Sequence, residues 1–247
     1  MKKIALIWGL LLAFCGVEMA AGGQGVELDH AAVDITNKAS LQRGAKYFVN
    51  YCLSCHSAKY SRFSRVGEDL GLTTIEVEDN LIFTDAKVRD PMRVALRSED
   101  ARTWLGAPPP DLSLVTRARG ADWVYTYLRS FYLDDARPAG VNNLVLPNAS
   151  MPHVLWELQG WQAQVSEEGE ASGHGGHEPL ALKLVEPGEM SPETYDRAVL
   201  DLVNFMVYLG EPAQLQRKKV GVWVLAYLIV FFVVAYMLKK EYWRDIH

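Results

Sequence analysis

The sequence predicts a mainly α-helical exported domain with long inserted loops, held to a membrane by one C-terminal helix. Three observations lead there. The run from Val220 to Leu238 carries no charge, and its roughly 28 Å of helix at about 1.5 Å per residue is enough to cross a bilayer. Residues 1–23 have Lys2 and Lys3, an apolar stretch from Ile4 to Val17 and then small residues, the layout of a secretory signal. Between the two ends, apolar residues recur at helical spacing in separate segments joined by Pro-, Gly- and Asn-containing connections.

These observations divide the chain into a signal peptide (1–23), an exported domain (24–216) and an anchor with a short cytoplasmic tail (217–247, span about 220–238). Cleavage after Gly22 or Gly23 suits the small-x-small rule, and Cys15 is lost with the signal. Arg217, Lys218 and Lys219 precede the span while Lys239, Lys240 and Arg244 follow it, so positive charge does not set the orientation. The signal does: the domain is expected in the periplasm, anchored in a bacterial inner membrane with its C-terminus cytoplasmic.

The first helix is expected from Ala39 to Cys52, where Leu41, Ala45, Phe48 and Cys52 form one stripe. Gly44 lies beside that stripe, where close approach of a second helix would explain it. That second helix is expected from Pro192 to Leu209. Ser191 is its N-cap and Glu193 falls in its first turn, Gly210 and Pro212 stop it, and Tyr195, Val199, Leu202, Phe205, Met206 and Leu209 are the buried face. Residues 120–132, GADWVYTYLRSFY, read as a third helix. Residues 106–120, GAPPPDLSLVTRARG, read as a loop whose three prolines forbid early helix.

The chemistry concentrates in FVNYCLSCHS, residues 48–57. A structural zinc site would need a second ligand pair, which is missing, and a thioredoxin-like pair would follow a strand rather than a helix. A disulfide alone would leave His56 without a role. C-x-x-C-H is the attachment signature of c-type haem, and it uses all three residues: Cys52 and Cys55 each add to a vinyl group, and His56 supplies the proximal ligand. One such motif is present, so one covalently bound haem c is expected. For the sixth iron position the residues leave alternatives open. Met151 lies on an irregular loop far from His56, with His153 nearby and Met92 and Met190 as further candidates, while Met206 falls on the core stripe.

The exported domain carries 17 Lys and Arg against 27 Asp and Glu, a net of −10, which argues against a nucleic-acid partner. Between Glu157 and Glu189 stand seven carboxylates, among them Glu167, Glu168 and Glu170, and one cation, Lys183. This stretch is either a solvated loop or a docking face for a basic partner. GHGGH holds His174 and His177 in a glycine-rich setting that fixes no further metal ligand, so it reads as a solvated loop.

The order of features resembles the cytochrome c1 family, the haem c subunits of cytochrome bc1 complexes: CLSCH, then GAPPPDLSLVTRARG, then NNLVLPNASMPHVLWELQG, then one membrane helix after RKKVG. The resemblance implies a cytochrome c-like helical fold and Met151 as the axial ligand. It also implies Pro109 and Pro110 against the haem, Arg119 on a propionate and Arg117 close by. The implied partners are cytochrome b and a Rieske iron–sulfur protein in one complex, dimeric as a whole, with a soluble c-type cytochrome as acceptor. Independently of the family, buried propionates call for a guanidinium. Arg117 and Arg119, two apart on an extended segment, would point to opposite sides, so only one is expected to reach the haem. The expected function is one-electron transfer with no bond chemistry of its own. The alternative, an anchored haem enzyme or gas sensor, would need an open distal site.

Overall fold

The computed structural model describes residues 26–94, 96–165 and 181–244. The expected signal peptide, the acidic residues Glu167, Glu168, Glu170 and Glu178, the pair His174 and His177, and the last three residues of the expected tail lie outside them.

Asn37 opens helix α1 (Lys38–Tyr47) by accepting from the Ser40 backbone N–H at 3.1 Å. Leu41 and Ala45 are buried on one face as expected, but α geometry ends at Tyr47. Phe48–Cys52 forms a π turn, closed by the Leu53 N–H on the Phe48 carbonyl at 3.0 Å. The wider turn keeps both Phe48 and Cys52 buried at the point where the chain leaves the helix.

Strand β1 (Ala58–Arg62) pairs antiparallel with the short β2 (Pro91–Met92), enclosing α2 (Phe63–Leu70) and α3 (Thr74–Leu81). A capping box between Thr73 and Glu76 starts α3. Helix α4 (Ser98–Leu105) precedes the proline run. Within the stretch expected as loop, the chain forms a short helix, α5 (Val115–Arg119). The prolines do forbid helix early; Asp111 then accepts from the Ser113 N–H at 3.0 Å, and helical turns follow once the prolines are passed.

Helix α6 (Ala121–Arg129) is shorter than expected. Residues 131–133 leave it as strand β3 (Phe131–Leu133), paired antiparallel with β4 (Val141–Asn143). Sheet pairing outcompetes helix there because Val141 and Asn143 supply the backbone partners. After α7 (Trp156–Gln159), β5 (Gly160–Val165) pairs with β6 (Ala181–Pro187), so part of the expected irregular connection is a hairpin.

Helix α8 (Pro192–Gly210) follows its sequence signals: Ser191 caps it, and Tyr195, Val199, Leu202, Phe205, Met206 and Leu209 are all buried. It crosses α1 at Gly44, where a Cβ would fall 2.0 Å from the Asp201 carbonyl oxygen and 2.8 Å from the Phe205 Cβ. The Phe48 and Phe205 rings pack at 5.5 Å beside the crossing. A polar cluster closes it. Asp201 accepts from Ser40 Oγ at 2.6 Å and from Arg43 at 2.6 and 2.9 Å, and Asn204 donates to Ser40 Oγ at 2.8 Å.

Helix α9 (Gln214–Tyr242) contains one stretch, Gln216–Tyr242, long and apolar enough to cross a membrane. Its apolar side chains, Trp223, Phe231 and Phe232 among them, are exposed, as a lipid-facing helix requires. It joins the folded domain through Glu211, which pairs with Arg217 at 2.6 Å and with Arg117 of α5 at 2.6 Å.

Gly44→Ala tests the helix crossing. Propensity alone would stabilise the helix by about 1 kcal/mol. The clash with Asp201 should reverse the sign and cost roughly 3 kcal/mol, lowering the melting temperature by about 6–12 °C. Thermal denaturation followed by circular dichroism measures it.

Candidate haem site

The π turn sets the geometry of the C-x-x-C-H motif. The Cys52 carbonyl accepts from the Cys55 N–H at 3.1 Å and the His56 N–H at 2.8 Å, a tight turn that keeps the three side chains on one short stretch of backbone. Both thiols are free, Cys52 buried and Cys55 half-buried. Burial pushes the Cys52 thiol up to about 12, with the neighbouring Cys55 acting in the same direction.

His56 is half-buried, and its Nδ1 hydrogen-bonds the Pro110 carbonyl at 2.7 Å. Burial lowers its pKa, outweighing the opposing effects of that carbonyl and of Asp111. The neutral ring therefore carries its proton on Nδ1, and Nε2 is left with its lone pair for a metal. The motif is stapled to the proline loop at further points. The Leu112 N–H donates to the Ser57 carbonyl at 2.8 Å, Asp111 accepts from the Lys59 N–H at 3.0 Å, and Ser113 Oγ accepts from the Tyr60 N–H at 3.2 Å. Pro109 lines a cavity of about 270 Å³ that Cys55 also borders.

Met151 is half-buried against the core, with its Sδ accepting from Tyr127 Oη at 3.4 Å. Burial pushes that phenol up to about 12, so the hydroxyl keeps its proton. Tyr127 stands in a ladder of rings: it stacks on Trp123 at 5.0 Å and meets the Phe131 ring edge-on at 5.1 Å. His153 continues the ladder, stacked on Phe131 at 5.1 Å and edge-on to Trp161 at 5.9 Å. Burial pushes His153 down to about 4, so it is neutral at ordinary pH, and its Nε2 has no hydrogen-bond partner among the described residues. Of the other methionines, Met92 is fully buried and paired through β2 with Ala58, and Met206 is core as expected. Met190 is half-buried, its N–H donating to the Leu158 carbonyl at 3.1 Å.

The two arginines do not lie on an extended segment as expected; α5 places them on a helical turn. Two positions on a helix are still well separated in direction, so they diverge as expected. Arg117 is committed to Glu211, while Arg119 lies over the Trp123 ring at 5.2 Å and makes no ion pair among the described residues. Sequence reasoning missed Tyr127 and the pair Asn142 and Asn143. The Asn-Asn step before Leu144 was a visible turn signal, but nothing in the sequence shows which face of α6 meets the Met151 loop.

The residues of the C-x-x-C-H motif fit a c-type haem. Two free thiols stand on one turn, and an imidazole has one nitrogen committed to a carbonyl. Among the described residues no cluster of three or more His, Cys, Asp or Glu forms that could hold a metal in another way.

The Cytochrome C1 family model matches residues 30–246. The chain belongs to the cytochrome c1 family. It is 51% identical to cytochrome c1 of Allochromatium vinosum, covering 100% of both chains. It is 49% identical to a Nitrosomonas europaea protein named ammonia monooxygenase gamma subunit, covering 100% of this chain and 99% of that one. Cytochrome b/c1 of Bradyrhizobium diazoefficiens is 26% identical over 85% of this chain and 34% of its own length. As a member of this family, the chain is a membrane-anchored electron-transfer subunit of a bc1 complex and carries a c-type haem. Family membership does not favour the alternative of an enzyme or gas sensor with an open distal site.

Replacing both Cys52 and Cys55 by Ser should leave haem extractable with acidified organic solvent, since no thioether bond can form. A denaturing gel stained for haem peroxidase activity should lose its band at the mass of this chain.

Proposed function

We propose that the chain holds one haem c through thioether bonds at Cys52 and Cys55, with His56 and Met151 as the two axial ligands. Pro109 and Pro110 would lie against the ring and Arg119 would serve a propionate, with Arg117 close by, its charge shared with Glu211. The observation that carries this reading is the His56 Nδ1 hydrogen bond to Pro110. It ties the attachment motif to the proline loop and leaves Nε2 free as a ligand.

Haem bound at this position supplies one-electron exchange between a Rieske iron–sulfur protein on the outer face of the membrane and a soluble c-type cytochrome. The protein's own residues orient and enclose. His56 is fixed by Pro110, Met151 would close the sixth position to exogenous ligands, and the ring ladder from Trp123 to Trp161 would give the Met151 side of the site an apolar wall. The partners are cytochrome b and the Rieske protein in one complex, dimeric as a whole, in a bacterial inner membrane with the haem domain in the periplasm. A relative named cytochrome b/c1, longer than this chain, supports a physical association with cytochrome b.

The name of the Nitrosomonas relative offers a second reading, a subunit of an ammonia-oxidising enzyme. Purification of the solubilised complex through a tag on this chain separates the two. Cytochrome b and a Rieske protein should accompany it in fixed ratio; recovery of monooxygenase subunits with no cytochrome b would overturn the proposal.

Met151→Leu should open the sixth position, so that the reduced protein binds carbon monoxide and the reduction potential falls, because the thioether is lost. Reduced-minus-oxidised spectra with and without carbon monoxide, together with a redox titration, check this. An unchanged spectrum and potential would move the assignment to His153, Met92 or Met190.

A further inference from the structure

The segment from Leu144 to Met151 has no regular structure, yet it must present one sulfur atom in a fixed place. Its backbone N–H groups show how. Leu144 donates to the Ser130 carbonyl at 3.1 Å. Val145 and Leu146 both donate to Asn143 Oδ1, at 2.9 and 3.1 Å. Asn148 donates to Asn142 Oδ1 at 2.7 Å, and Ala149 to the Leu146 carbonyl at 3.2 Å. Position 147 is proline and has no N–H. Every donor from 144 to 149 is thus satisfied, three of them by two adjacent asparagine side chains. Asn148 sits at φ 65°, a left-handed conformation that asparagine tolerates.

Asn143 does more than template the loop. It is fully buried, and its Nδ2 donates to the Tyr127 carbonyl at 2.8 Å. Tyr127 is the residue whose hydroxyl meets the Met151 sulfur. One side chain therefore grips both supports of that sulfur: the loop that carries it from below and the helical residue that contacts it from the side. Ser130 Oγ reinforces the arrangement by donating to Asn143 Oδ1 at 3.3 Å.

We infer that Asn143 is a positioning residue for the sixth haem ligand, holding the Met151 loop and Tyr127 in register so that the thioether meets the iron and excludes exogenous ligands. This rests on the assignment of Met151 above. A leucine at 143 is close in shape but satisfies none of the four partners, and aspartate keeps the acceptors for Val145 and Leu146 while losing the donor to Tyr127. A buried group left without its partner shifts a local equilibrium by roughly 10- to 100-fold.

The test uses the membrane complex isolated with Asn143→Leu, Asn143→Asp, Met151→Leu and, as a stability control at the capping box of α3, Thr73→Ala. The fraction of reduced haem that binds carbon monoxide at a fixed low pressure is compared, together with the sulfur-to-iron charge-transfer absorption of the oxidised form. Asn143→Leu should raise carbon monoxide binding by about tenfold or more over the parent and weaken the charge-transfer band, with Asn143→Asp in between. Thr73→Ala should lower thermal stability without changing either signal. Should Asn143→Leu fail to accumulate, Asn143→Asp decides: partial carbon monoxide binding supports the inference and parental behaviour overturns it. Equal effects from Asn143→Leu and Thr73→Ala at matched stability would also overturn it, since the role would then be general folding. If Met151→Leu binds carbon monoxide and the Asn143 variants do not, the positioning role alone falls. If Met151→Leu does not bind it, the ligand assignment falls first and this inference with it.

Discussion

The crossing of α1 over α8 at Gly44 is the contact on which the rest of the molecule depends. With no Cβ at that position, the α1 backbone lies directly on the Asp201 carbonyl, and the Phe48 and Phe205 rings fill the space beside it. Because Phe48 begins the π turn that ends in Cys52, the crossing also fixes where the attachment motif starts. A side chain at 44 would push apart the helix that leads to the C-x-x-C-H motif and the helix that leads to the membrane.

Polar groups at this crossing are buried but satisfied, which is the condition for keeping them there. Asp201 is 9% exposed and receives Ser40 and both arms of Arg43. At the far end of α8, Arg117 and Arg217 converge on Glu211. Partial burial works to raise the pKa of that carboxyl, but the hydrogen bonds from Arg217 and Arg117 prevail and hold it below the usual range. Thr116 Oγ1 adds a bond to the Met206 carbonyl at 3.1 Å. The short helix after the proline loop is thereby clamped to the end of α8, directly before the anchor, so the proline loop and the membrane helix share one joint.

The segment that carries Met151 is built differently. No long helix carries Met151; a loop does, and its order comes from asparagine side chains, a β3–β4 pair and a run of rings in which neutral His153 behaves as one more aromatic. The His56 segment is stapled to a proline loop, and in the segment that leads to Met151 the N–H groups have defined acceptors.

Sequence alone determined what periodicity and local chemistry can specify. The stripe of α8 with its Ser191 cap, the close approach at Gly44, the apolar span and the C-x-x-C-H motif were all legible, because each depends on residues within a few positions of one another. The residues themselves brought Met151 forward with His153 as its nearest rival, and only the resemblance favoured Met151 over the others. Tertiary structure decided the rest. The π turn at Phe48, the exit of Phe131 into a strand and the helix at Val115 each depend on partners distant in sequence, as does the choice of Glu211 for Arg117. Tyr127 and Asn143 belong to this second group. Their bonds reach Met151 and Tyr127 across 24 and 16 residues, and a hydrogen bond that closes so long a loop leaves no local pattern in the chain.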